Sequence, residues 1–311
     1  MRAKRRGLIG LAVLVLGGLL SLGACASGDE DSKGLAGRLM FSRFDEATHT
    51  FISTHTAQAD GTDEEELTLP GPEGGGRWSR SGDEVAVMTL LPDERVGTAI
   101  IEPDGTVART LAIVDKSLNL PCTVWSPDDE RLACEGWDDA DPSRNGIYTV
   151  RSSDGGDLQR LTTPPQGRVD IPGDYSPDGA QFVFSRWRSD DEENGPLLIM
   201  DLPDGEPRSL SKGRFGDPGR FSPDGASVLT SEGGRIVIMD PNGEVLQGVG
   251  DEAGAFLFGP VWSPDGTWIA YSRTVSGPQA DIFISRPDGR DAQQVTSTAA
   301  NEITVEWGPG S

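Results

Sequence analysis

Trp262-Ser263-Pro264-Asp265-Gly266-Thr267-Trp268-Ile269-Ala270-Tyr271 reads as one strand ending on an aromatic, a tight turn, and a second strand running back. Pro presets φ for the turn, Asp offers its carboxylate to nearby backbone amides, and Gly accepts the positive φ that closes the reversal. The phrase is not unique. It returns as WSRSGDEVAV from Trp78, WSPDDERLAC from Trp125, YSPDGAQFVF from Tyr175 and FSPDGASVLT from Phe221, and a truncated copy stands at Trp307-Gly308-Pro309. The anchors 78, 125, 175, 221, 262 and 307 are separated by 47, 50, 46, 41 and 45 residues. That period is the length of one four-stranded propeller blade.

A second turn accompanies every copy, at Asp60-Gly61, Asp104-Gly105, Asp154-Gly155, Asp204-Gly205, Asn242-Gly243 and Asp288-Gly289. Asp-Gly and Asn-Gly are strong hairpin sequences, because both central positions of the favoured turn need positive φ. Strands such as Ile236-Val237-Ile238-Met239 and Asp281-Ile282-Phe283-Ile284 precede these turns, and short segments ending Leu161-Thr162, Leu210-Ser211 or Val295-Thr296 follow most of them. The series predicts an all-β, six-bladed propeller of four-stranded antiparallel blades over residues 38–311. The first copy begins at Arg38-Leu39-Met40-Phe41-Ser42, which aligns with a second strand, and the last stops after a first strand, Glu302 to Trp307. The C-terminal strand is therefore expected to complete the N-terminal blade and close the ring. The six anchors are expected to be buried between blades.

This combination, WSPDG, an apolar strand, a strand closing in DG and then LT, resembles the repeats of TolB-like six-bladed β-propellers over about residues 37–307. The resemblance implies a binding or protein-interaction scaffold rather than an enzyme. TolB carries an α/β domain before its propeller, for which residues ahead of 38 leave no room, so the partnership of TolB with the Pal lipoprotein is not carried over.

Composition agrees with a turn-rich β protein. Among 311 residues there are 41 Gly and 22 Pro, while 27 Lys+Arg against 50 Asp+Glu set the net charge at −23. Such acidity argues against nucleic-acid partners. With 3 Cys and 2 His there is little material for zinc or iron–sulfur centres. His49 and His55 flank an extended run, about 20 Å apart, too far to share a metal, and are expected at surface or turn positions.

The first residues run against the acidic trend. Arg2, Lys4, Arg5 and Arg6 precede an apolar stretch from Leu8 to Leu22, interrupted by Gly10, Gly17 and Gly18, as in a secretory signal covering 1–24. Leu22-Gly23-Ala24-Cys25 resembles the bacterial lipobox. The resemblance implies cleavage before Cys25, lipidation of its thiol, palmitate included, and anchoring to the extracytoplasmic face of a bacterial membrane. Residues 25–37 then form a small, acidic tether. Removing 1–24 leaves 23 basic and 50 acidic residues, a net charge of −27 that lipid rather than charge must hold at the membrane.

Export also permits disulfides, and reflecting the hairpin about Asp128 sets Cys122 opposite Cys134, an expected bridge. Loops 136–146 and 186–195 join second and third strands of successive blades. They carry Trp137, Asp138, Asp139 and Asp141, and Trp187, Asp190 and Asp191, a candidate patch for a protein or small-molecule ligand. Arg43, Arg186 and Arg273 recur after Ser and are expected to make inter-blade salt bridges. No catalytic residue, cofactor or metal ligand is assigned. A calcium ion on the channel axis is compatible with the architecture but has no assignable ligands. No G-x-S-x-G occurs. The competing expectation is a metal-assisted sugar lyase or lactonase with its site at the channel mouth. The chain is expected to act as a monomer.

Overall fold

The turn chemistry is built as the repeat implies, with serine as an additional organiser. Ser126, Ser176, Ser222 and Ser263 each donate a hydroxyl hydrogen bond to the Asp two residues on, at 2.5–2.6 Å. Each hydroxyl in turn accepts from the amide five residues on, at 2.8–2.9 Å. The residue that closes the turn donates its amide to the serine carbonyl, as Gly179, Gly225 and Gly266 do with φ near +70°. In the second copy Asp129 takes this left-handed position at φ +59°. Its carboxylate accepts from the amides of Arg80 and Ser81 in the preceding blade, at 2.7 and 2.9 Å, which fastens two blades together while the residue occupies a conformation that favours Gly.

The structure, a computed structural model, describes residues 35–71, 75–188, 195–210, 216–250, 254–276 and 279–309. Among the described residues the strands form six four-stranded sheets, each an antiparallel meander. We number the blades 1 to 6. Blades 2 to 6 begin with inner strands Gly76–Trp78, Cys122–Trp125, Arg168–Tyr175, Arg220–Phe221 and Leu257–Trp262. Blade 1 takes its inner strand from the other end of the chain. Asn301–Gly308 pairs antiparallel with Arg38–Phe44, setting Arg38 opposite Gly308 and Phe44 opposite Asn301. The ring is closed as the sequence reading expects, and closure removes an edge that would otherwise be open to pairing.

The apolar core lies between blades. Val124, Ala133 and Ile147 of blade 3 meet Tyr175, Phe182 and Phe184 of blade 4. The closing seam is built alike, with Leu39 and Phe41 of blade 1 against Trp268 and Ile282 of blade 6 and Trp307 of the closing strand. Burying each such side chain stabilises the ring by about 1.5–3 kcal/mol. Trp125, Tyr175, Phe221 and Trp307 are buried as expected, whereas Trp78 and Trp262 are half-buried.

Cys122 and Cys134 face each other in neighbouring strands of blade 3 and are joined by a disulfide of 2.08 Å. Cys25 and the segment 1–34 lie outside the described residues. Among the described residues no helix is long and apolar enough to cross a membrane.

Candidate functional site

Loops between second and third strands open on one end of the ring, and the expected patch divides there. Trp187 belongs to the strand Gln181–Arg188 and is buried, so it is not presented to a ligand. Asp138 is also buried. It accepts from the amides of Ala140 and Asp141 at 2.9 and 3.2 Å and from the Arg144 guanidinium at 2.9 Å. These donors, the Ala140 amide foremost, hold its carboxyl below the usual range. Asp141 caps the short helical turn Pro142–Arg144, accepting from the Ser143 amide at 3.1 Å. Trp137 is half-buried and its backbone bridges to Asn119. Asp139 and Asp141 remain exposed, and Asp190 and Asp191 lie outside the described residues. The loop's carboxylates thus mainly fold the loop.

Two further expectations are corrected. His55 is buried in the strand Phe51–Gln58, stacked 5.8 Å from Phe41 and 2.8 Å from Glu64, within a run from Ser53 to Ala57 that is covered on both faces. Burial and the adjacent Arg43 lower its pKa. Arg43 and Arg186 bond within their own blades rather than between them. Arg43 meets Glu302 at 2.8 Å and Glu64 at 2.7 Å, both partners belonging to blade 1, and Arg186 grips Asp170 with two bonds of 2.6 and 2.9 Å across one strand pair. Arg43, Arg186 and Arg273 share another role, each lying over a phenylalanine ring at 4.8–5.7 Å.

At the opposite end, where the W-S-x turns converge, a funnel of about 320 Å³ opens on the channel axis. All six anchors line it, with Pro127, Pro177, Pro223, Pro264 and Pro309 at the third motif position. Blade 2 departs from the pattern, since WSRSG places Arg80 where the other copies have Pro. The residue before each anchor also reaches the funnel, and there Arg77, Asp174, Arg220 and Glu306 alternate with Val124 and Val261. The charged side chains cross the channel. Arg80 reaches Asp174 at 2.5 Å, Arg220 pairs with Glu306, and Arg77 lies 3.5 Å from Glu306 while donating to the Gly173 carbonyl. Asp174 additionally accepts from the amides of Tyr175 and Phe221 at 3.0 and 3.2 Å. Burial pushes the Arg77 guanidinium down to about 9, with repulsion from Arg220 adding to it.

Acidic groups with raised pKa lie toward the loop end of the strands. Asp281 is buried beside Glu302, and burial together with that charge pushes its carboxyl up to about 6. One oxygen of each, Oδ1 of Asp281 and Oε2 of Glu302, is buried without a hydrogen-bond partner. Glu135 is pushed up to about 7 by burial, and burial also raises Asp217 despite hydrogen bonds from Ser231 and the Gly259 amide.

TolB from Acinetobacter baumannii superposes with a TM-score of 0.66 at 22% identity, covering 88% of this chain and 67% of that one. A TolB-type protein of Agrobacterium tumefaciens gives 0.63 at 16% identity, covering 88% of this chain and 99% of that one. The fold is that of a TolB-like β-propeller. The TolB-like propeller is shared with enzymes, among them an oligogalacturonate lyase in complex with manganese, at TM-score 0.53 and 18% identity over 85% of this chain and 74% of that one. No protein-family model and no curated protein matches the sequence.

Among the described residues no three His, Cys, Asp or Glu side chains stand together as a metal site, and the carboxylates in the TolB-like propeller's funnel are already neutralised by arginine. The funnel does not fit a divalent cation. Sequence reasoning passed over Arg77 and Arg80. The break in the WSP pattern at Arg80 was the available clue.

Proposed function

We propose that the protein is an exported lipoprotein, anchored through Cys25 to the extracytoplasmic face of a bacterial membrane, whose TolB-like propeller binds an envelope partner. The observation that carries the reading is the Cys122–Cys134 disulfide, which belongs to an oxidising compartment and agrees with the signal at 1–24. The Trp307 indole donates to the Ala36 carbonyl at 3.1 Å, so the chain joins the ring at the funnel end.

The test is labelling of cells with radioactive palmitate. Label is expected in the wild-type protein and absent from Cys25→Ser, and co-purification of an envelope partner should fail when loop 136–146 is replaced by Gly-Ser. Incorporation into Cys25→Ser would refute the anchor. The fold's likeness to a manganese-bound lyase supports a second reading, a metal-assisted lyase or lactonase. Stoichiometric manganese or calcium in dialysed protein would favour that reading over the scaffold.

A further inference from the structure

The funnel has a charge balance opposite to that of the whole molecule. In a chain whose net charge is −23, it collects Arg77, Arg80 and Arg220 against only Asp174 and Glu306. Glu306 is shared by two of these arginines, and Asp174 is already engaged by two backbone amides as well as Arg80. Asp129 of the neighbouring turn is occupied by the amides of Arg80 and Ser81. One positive charge is left unmatched inside an apolar collar of indoles and prolines. Arg80 pairs with Asp174 but is the most accessible of the three guanidiniums, its side chain 43% exposed compared with 14% for Arg77 and 20% for Arg220.

We propose that this funnel is a binding site for a ligand carrying a single carboxylate on an apolar or aromatic body. The carboxylate meets Arg80, with Arg220 behind it, and the body lies against the anchor indoles and turn prolines. Three features select this chemistry. A guanidinium presents paired N–H donors that match a carboxylate, the excess of one charge suits a monoanion, and a collar of tryptophan and proline favours an apolar body over a hydrated one. The lowered pKa of Arg77 is a further mark of positive charge held with incomplete compensation. The inference deepens the binding-protein reading but requires neither lipid nor membrane.

Trp78, Trp125, Trp262 and Trp307 line the funnel and report its occupancy by fluorescence. Detergent-solubilised full-length protein is titrated with phenylacetate, its neutral isostere phenylacetamide, and inorganic phosphate. Phenylacetate is expected to give a saturable change that weakens with added salt, and phenylacetamide and phosphate to bind at least about tenfold more weakly. Arg80→Gln should weaken phenylacetate by about tenfold and Arg80→Glu should abolish the response, with thermal unfolding showing that both variants fold. Equal binding of acid and amide, phosphate tighter than phenylacetate, or an unchanged affinity in folded Arg80→Glu would each overturn the proposal. Failure here would leave palmitate labelling at Cys25 untouched, and failure of labelling would leave this titration unchanged.

Discussion

The two ends of the ring are made by the same repeat and carry opposite chemistry. At the turn end, three guanidiniums converge on two carboxylates and pair with them directly. At the loop end, desolvation pushes the carboxyls of buried Asp281 and half-buried Glu135 and Asp217 toward the protonated form. One strand joins the two, since Asn301–Gly308 places Glu306 in the funnel and Glu302 beside Asp281. The contrast shows how a propeller separates architecture from specialisation. Ser, Asp, Gly and the anchor are consumed by turn and core, whereas the position before the anchor and the outer ends of the strands are left to vary.

The severest way to break the comparison is to remove the shared strand. Truncation after Asn301 deletes Glu302 and Glu306 together with buried Val305 and Trp307, and is expected to cost more than about 5 kcal/mol, enough to abolish a cooperative melt by calorimetry. An unchanged melting temperature would show that ring closure does not matter. Next in size, Glu306→Ala leaves Arg77 and Arg220 facing each other across the funnel and should cost about 3 kcal/mol in urea unfolding.

The acidic end should respond with the opposite sign. Asp281 ordinarily titrates near 3.9 unfolded and at about 6 in the fold, so the folded state binds the proton more tightly. Its favourable contribution is complete below about pH 4, fades as pH rises through about 6, and is absent above. Asp281→Asn, which mimics the protonated carboxyl, is therefore expected to match wild type near pH 4 and exceed it by about 2 kcal/mol at pH 8. A variant less stable than wild type at pH 8 would place the ionised form as the better-solvated one. Smallest of all, Asp139→Asn and Asp141→Asn lie on the exposed part of the loop and should shift stability by less than about 0.5 kcal/mol.

Much of the ring was legible because its turns are local. Ser-Pro-Asp-Gly encodes its own hydrogen bonds within six residues, and the truncated copies at Arg38 and Trp307 point to the pairing that closes the sheet. Cys122 and Cys134 were equally readable, since both sit on one hairpin. What the sequence concealed is long-range. Arg80 meets Asp174 across 94 residues and Arg220 meets Glu306 across 86, distances over which spacing carries no geometric information. Loop 136–146 misled for the converse reason. Its carboxylates resemble a surface patch in the sequence, but Asp138 turns inward to satisfy the loop's own amides.

The separation of charge between the two ends of the ring is tested most directly by anomalous diffraction from crystals soaked in bromide, which substitutes for an anionic group without shape requirements. The account predicts bromide in the funnel against Arg80 and Arg220 and none beside Asp281 and Glu302. An empty funnel, or bromide at the carboxylate end, would contradict it.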